Sequence, residues 1–166
     1  MKRFFSFPNP VNDYAARTVA TGVVLMCALY LVTGWTWVLL PLCYGFWARV
    51  LAGPKISPLG QLATRVVAPR IPGEPRLTPG PPKRFAQAIG VAFSTAALVL
   101  ALGVGVGPAK IVIAALTIAA FLEAALGLCL GCKVFGQLMK TGIIPESVCV
   151  ECADLSRRYP SLSKTS

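Results

Sequence analysis

Between Arg17 and Arg49 run 31 residues without a charged side chain. As one straight helix this stretch would measure about 46 Å, at about 1.5 Å per residue. That exceeds a hydrocarbon core of about 30 Å, even with a large tilt. The run must therefore turn back on itself. Gly34 sits near its middle, within Thr33-Gly34-Trp35-Thr36-Trp37. Glycine permits a tight turn, and the two tryptophans suit a membrane–water interface. The expected spans are Tyr14–Thr33 and Trp35–Ala52, with Arg17 and Arg49 snorkelling to the interface. Pro41 is expected to kink the second span.

A second apolar region begins at Phe85 and continues to Leu130, interrupted by Lys110 and Glu123. Gly103-Val104-Gly105-Val106-Gly107-Pro108 divides it with turn residues. Spans are expected at Phe85–Leu102 and Ala109–Leu130. Charged residues make up only 13% of the chain, about half the share of a soluble domain. The fold class expected is an all-α membrane protein, four transmembrane helices forming two hairpins in a bundle. A cleaved signal peptide is not expected, because Asn9, Pro10, Asp13 and Arg17 separate Lys2 and Arg3 from the apolar run.

With four spans, 15 of the 16 basic residues fall on one side and only Lys110 on the other. By the positive-inside rule both termini are then cytoplasmic. The net charge of +10 reads as a topology signal and not as a nucleic-acid surface. The expected organisation is an N-terminal segment over 1–13, hairpins over 14–52 and 84–132, a basic loop over 53–83 and a tail over 133–166. Within the loop, Ser57 to Val67 reads as a short interfacial helix capped by Ser57, and Ala68 to Pro82, with six prolines, as extended chain. Gly53-Pro54-Lys55-Ile56 with Gly60-Gln61-Leu62 is echoed by Gly131-Cys132-Lys133-Val134 with Gly136-Gln137-Leu138, a short hint of duplication.

Of six cysteines, Cys27 and Cys43 lie singly in apolar spans and read as packing residues. The other four form Cys129-Leu130-Gly131-Cys132 and Cys149-Val150-Glu151-Cys152. Two such pairs match zinc-site spacing. Cys129, Cys132, Cys149 and Cys152 could thus hold zinc or an iron–sulfur cluster. The same pairs suit thiol–disulfide or persulfide exchange, in which one thiolate attacks and the other resolves. If span 4 runs to Leu130, the first pair sits at a helix C-terminus, whose dipole opposes a thiolate and favours the metal reading. Glu123 is the one acid within a span and a candidate proton relay. On a straight helix it points about 120° away from Cys129. Its partner would be Gln87, Thr95 or a quinone-like ligand.

Several motifs resemble the bacterial membrane-protein family DUF4395. They are Pro10-Val11-Asn12 with Ala16-Arg17, Gly53-Pro54-Lys55-Ile56-Ser57-Pro58, and Arg84-Phe85-Ala86-Gln87 with Ile89-Gly90. Two more are Glu123-Ala124 with Gly127 and Cys129-Leu130-Gly131-Cys132, and Pro145-Glu146 with Cys149 and Glu151-Cys152. The family has no established activity. It is more distantly similar to four-helix DoxX and MauE-type proteins, some of which are linked to sulfur or thiol redox chemistry. The resemblance implies a multi-pass protein of the bacterial inner membrane, with a thioredoxin-like or sulfurtransferase partner. Alternatives are a structural metal site folding the tail, and a small scaffold or transporter subunit.

Overall fold

The computed structural model describes residues 9–72 and 77–149. Helix α1 spans Asp13–Thr33. The Asn12 side chain caps its start by accepting the Tyr14 N–H at 2.9 Å. Gly34, at φ 71°, closes it in the left-handed conformation that glycine takes most easily. A 3₁₀ turn over Thr36–Val38 then leads into α2, Leu39–Ala52. Pro41 consequently falls in the first turn of α2, where its missing N–H has no partner to lose. The expected mid-span kink is replaced by a helix start.

Helix α3, Pro58–Leu62, is capped by Ser57, which accepts the Gly60 N–H at 3.2 Å, and it continues as a π turn over Ala63–Val67. Leu59 projects from α3 into a notch on α1, where a Cβ on Gly22 would lie 2.6 Å from its Cδ1. The segment is therefore packed against the bundle as well as amphipathic. The described parts of the proline-rich stretch are more ordered than an extended linker, and residues 73–76 lie outside the described residues. Ala68–Arg70 forms a 3₁₀ turn, and Leu77–Thr78 pairs antiparallel with Val11–Asn12.

Helix α4 spans Gly80–Gly103 and starts earlier than expected. Pro81 and Pro82 occupy its first turn, so they initiate the helix and carry Lys83 and Arg84 inside it. Helix α5, Val106–Leu126, ends earlier than expected. Gly127, at φ 67°, terminates it, and a separate helix α6 follows over Leu130–Lys140. The suggested repeat takes different local forms: Gly53 begins a 3₁₀ turn at positive φ, whereas Gly131 lies within α6.

Four helical segments are long and apolar enough to cross a membrane: Asp13–Thr33, Thr36–Lys55, Gly80–Gly103 and Val106–Leu126. Helix α1 packs chiefly on α5, α5 on α4, and α4 on α2. The consecutive helices α1 and α2 touch little, so the first pair is not a tightly packed hairpin. Val23, Tyr30, Leu39, Leu42 and Ile113 form the centre of the core, with Cys27 fully buried among them. Cys43 is also buried, and both thiols are free. The outer face remains apolar, with Val32 84%, Leu102 74% and Ile111 74% exposed. A surface of this kind is stable against lipid and not against water. Trp35 and Trp37 stack at 5.7 Å beside the turn between α1 and α2.

Polar contacts gather at one end of the bundle. Arg17 donates to the carbonyls of Ala124 at 3.3 Å and Ala125 at 2.7 Å, capping α5 across the bundle. Arg84 donates to the Val50 carbonyl at 3.1 Å. Arg49 is 5% exposed and does not snorkel. Its Nε donates to Gln87 Oε1 at 2.8 Å, its Nη1 to Ser57 Oγ at 3.4 Å, and its guanidinium lies 4.7 Å from the Phe46 ring centroid. Arg17 and Arg49 thus both find acceptors within the protein.

Candidate functional site

The break at Gly127 changes the chemistry of the first cysteine pair. Cys129 is the N-cap of α6, not a residue at the C-terminus of span 4. Its sulfur accepts the Cys132 backbone N–H at 3.3 Å. Cys132, three residues on, lies in the first turn of the helix. Both thiols thus occupy the end of a helix where the dipole favours negative charge, the reverse of the sequence expectation. The cause is local: glycine accepts the left-handed conformation, stops α5, and lets the chain start a new helix within three residues.

Cys129 is 8% exposed and Cys132 half-buried. The Cys132 S–H donates to the Cys129 sulfur and holds the Cys129 thiol below its ordinary value of 9.0. Burial and the Glu123 charge oppose this, whereas the Lys83 charge and the Cys132 N–H reinforce it. Cys132 moves the other way, because its proton is shared with Cys129 and its own surroundings are desolvated. The two thiols are therefore unequal: Cys129 gives up its proton more easily, and Cys132 keeps its own.

Glu123 lies on the last turns of α5 and pairs with Lys83, Nζ to Oε1 at 2.6 Å. Lys83 is 5% exposed and also lies 3.8 Å from Asp13. The expected partners are engaged elsewhere: Gln87 accepts from Arg49, and Thr95 accepts from Trp47 Nε1 at 3.3 Å. Lys83 escaped the sequence reading because it was counted with the basic loop. The signal was present in Pro81-Pro82, which start a helix and so carry the next residue inward. With α5 broken, the straight-helix angle between Glu123 and Cys129 no longer applies. Both residues line one cavity of roughly 280 Å³ between α1, α4 and α5, closed at one end by α6. Its walls are mostly apolar, including Ala16, Phe93 and Ala119, and Gln87 also faces it.

The second cysteine pair does not join this arrangement within the described residues. Cys149 is 4% exposed and disulfide-bonded, so its sulfur is not an available thiolate. Cys152 lies outside the described residues. Among the described residues, no three Cys, Asp or Glu side chains converge to hold a metal ion. The zinc or cluster reading takes Cys129, Cys132, Cys149 and Cys152 as one set; among its described members, Cys129 and Cys132 lie within hydrogen-bond reach of each other.

These features define a helical bundle of the multi-pass membrane type, with a thiol pair capping a short helix at the charged end. The chain belongs to DUF4395, described as a domain of unknown function, whose family model matches residues 11–140. The match takes in Glu123, Cys129 and Cys132 and stops before Cys149. No curated protein and no solved structure matches the chain.

Proposed function

We propose that this chain is a multi-pass membrane dithiol protein that exchanges disulfides with a soluble thioredoxin-like partner at its cytoplasmic face. One observation carries the reading: Cys129 caps α6 with its sulfur held by both the N–H and the S–H of Cys132. In the exchange, the Cys129 thiolate attacks one sulfur of a disulfide, forming a mixed disulfide and releasing one thiolate. The Cys132 sulfur then attacks Cys129, forming Cys129–Cys132 and releasing the second thiolate. The chain loses two electrons and the incoming disulfide gains them; run backwards, the same steps oxidise a dithiol. Persulfide transfer would use the same nucleophile. The ion pair of Lys83 with Glu123 places both a cation and a proton acceptor beside the thiols. The charge asymmetry of the sequence, in which a four-span topology puts 15 of the 16 basic residues on the side of the Cys129–Cys132 pair, supports a cytoplasmic location.

Glutathione disulfide is a suitable probe for the detergent-purified, reduced protein in a Cys149→Ser, Cys152→Ser background, which serves as the wild type of this test. Wild type should lose two thiols and gain no mass beyond that loss of two hydrogens at this pair. Cys132→Ser should retain one glutathione on Cys129, visible by intact mass, and Cys129→Ser should retain none. A Cys132→Ser protein that traps no adduct would overturn the reading.

A further inference from the structure

Run in the direction that oxidises a partner dithiol, the proposed exchange leaves the chain reduced by two electrons after each turnover, so an oxidant must restore the Cys129–Cys132 disulfide. We infer that the cavity beside Cys129 binds the ring of a lipid-soluble quinone, which takes electrons from the Cys129–Cys132 dithiol. This rests on the dithiol reading above and names its electron acceptor.

Three observations point to that ligand class. The cavity, at roughly 280 Å³, falls just below the usual range of small-molecule sites, about 300–1,000 Å³, and so suits a single small ring. Its walls are mostly apolar, with alanines beside Val19, Phe46, Ile89 and Phe93, and Ala115 among them is exposed on the outer surface of α5. A ring inside can therefore run its apolar tail out to lipid. The polar groups lie together: Cys129, Glu123 and Gln87 all line the cavity. Gln87 already accepts from Arg49 through Oε1, which leaves its amide N–H groups to donate. A quinone carbonyl accepts such bonds, whereas a plain acyl chain has no use for them.

The step balances. The Cys129 thiolate bonds to an electrophilic ring carbon, and the electron pair moves onto the quinone oxygens. Cys132 then attacks the Cys129 sulfur, forming the S–S bond and breaking the S–C bond. The dithiol loses two electrons. The quinone takes those electrons and two protons, one from Cys132 and one from water by way of Glu123, and leaves as a quinol.

The test uses ubiquinone-1 with anaerobic, prereduced, full-length protein in detergent, and the water-soluble oxidant diamide as a parallel acceptor. Wild type should convert one quinone to quinol per chain as two thiols disappear, and Cys129→Ser should convert none. Ala119→Leu and, independently, Ala16→Leu put three extra carbons into the cavity. Each should slow quinone reduction about ten-fold or more, as overfilling a packed site does, while oxidation by diamide keeps its wild-type rate. Oxidation of the pair by diamide but not by ubiquinone-1 would overturn this inference and leave the dithiol reading standing. Failure of both oxidants to form the disulfide would overturn both. Equal quinone rates in wild type and the two filled variants would show that the ring does not enter this cavity, and would also overturn the inference.

Discussion

Cys129 and Cys132 are chemically unequal because one caps a helix and the other donates to it. The Cys129 thiol is held below 9.0 chiefly by the Cys132 S–H. Its folded value is thus depressed, and the thiolate stabilises the fold at pH above the unfolded value. That contribution is lost as pH falls through the lowered folded value. The same depression should appear in reactivity. Iodoacetamide labelling of Cys129, followed peptide by peptide in mass spectra, should reach half its plateau rate below pH 9.0. Cys132→Ala removes the main cause, so the midpoint should move to higher pH; an unmoved midpoint would refute the assigned polarity. Lys83 and Glu123 make a second residue-scale case. With side chains 6% and 15% exposed, each is costly to leave alone. Glu123→Gln removes the nearest opposite charge from the Lys83 ammonium, whose other carboxylate among the described residues is Asp13 at 3.8 Å, and should destabilise the fold by about 3 kcal/mol. Lys83→Met combined with Glu123→Leu should recover most of that loss in thermal unfolding followed by near-UV circular dichroism. A double variant no better than Glu123→Gln would mean that the pair is not the source of the cost.

Helix α6 is the element on which the site depends, and its placement comes from close contact with α4. A Cβ on Gly131 would lie 2.6 Å from both Cα and Cβ of Ala86, so the helices meet backbone to backbone there. Phe135 of α6 adds a ring contact with Phe85 of α4 at 5.6 Å. Gly131→Val should push α6 off α4, costing about 1–3 kcal/mol as overpacking does. Tryptic cleavage after Lys133, which is exposed, should then accelerate while the helices of the bundle stay resistant. Cleavage unchanged from wild type would show that α6 is not held by this contact. The four apolar spans were legible because a long stretch without charge leaves few alternatives in any solvent but lipid. The break at Gly127 was not, because an apolar periodicity continues through Leu128 and Leu130 and masks a single glycine. The thiol pair was visible as spacing, but its position at a helix N-terminus depended on that one φ angle. The pairing of Lys83 with Glu123 joins residues 40 apart, which periodicity within one helix does not report.

At the scale of the whole molecule, the side-to-side contacts collect the charges at one end. Arg17 reaches the last carbonyls of α5, Arg84 reaches Val50 near the end of α2, and Lys83 reaches both Asp13 and Glu123. The start of α1, the end of α2, the start of α4 and the end of α5 are therefore neighbours, and Lys110 lies near Gly34 at the other end. A bilayer reads such a distribution through the cost of translocating Lys and Arg in short loops. Mixed placement would leave the orientation undecided, whereas 15 against one leaves a single favoured direction. The turn between α4 and α5 should then face outward and the end of α6 inward. Val104, 71% exposed in that turn, and Thr141, exposed after α6, are suitable reporters. In a background with the native cysteines replaced by serine, Val104→Cys should react with a membrane-impermeant maleimide in intact cells. Thr141→Cys should react only after the cells are permeabilised. The reverse pattern would place the Cys129–Cys132 pair outside, in an oxidising compartment where its exchange partner could not be a cytoplasmic thioredoxin-like protein. Labelling of both reporters in intact cells would mean that the chain inserts in two orientations, and the charge argument would fail with it.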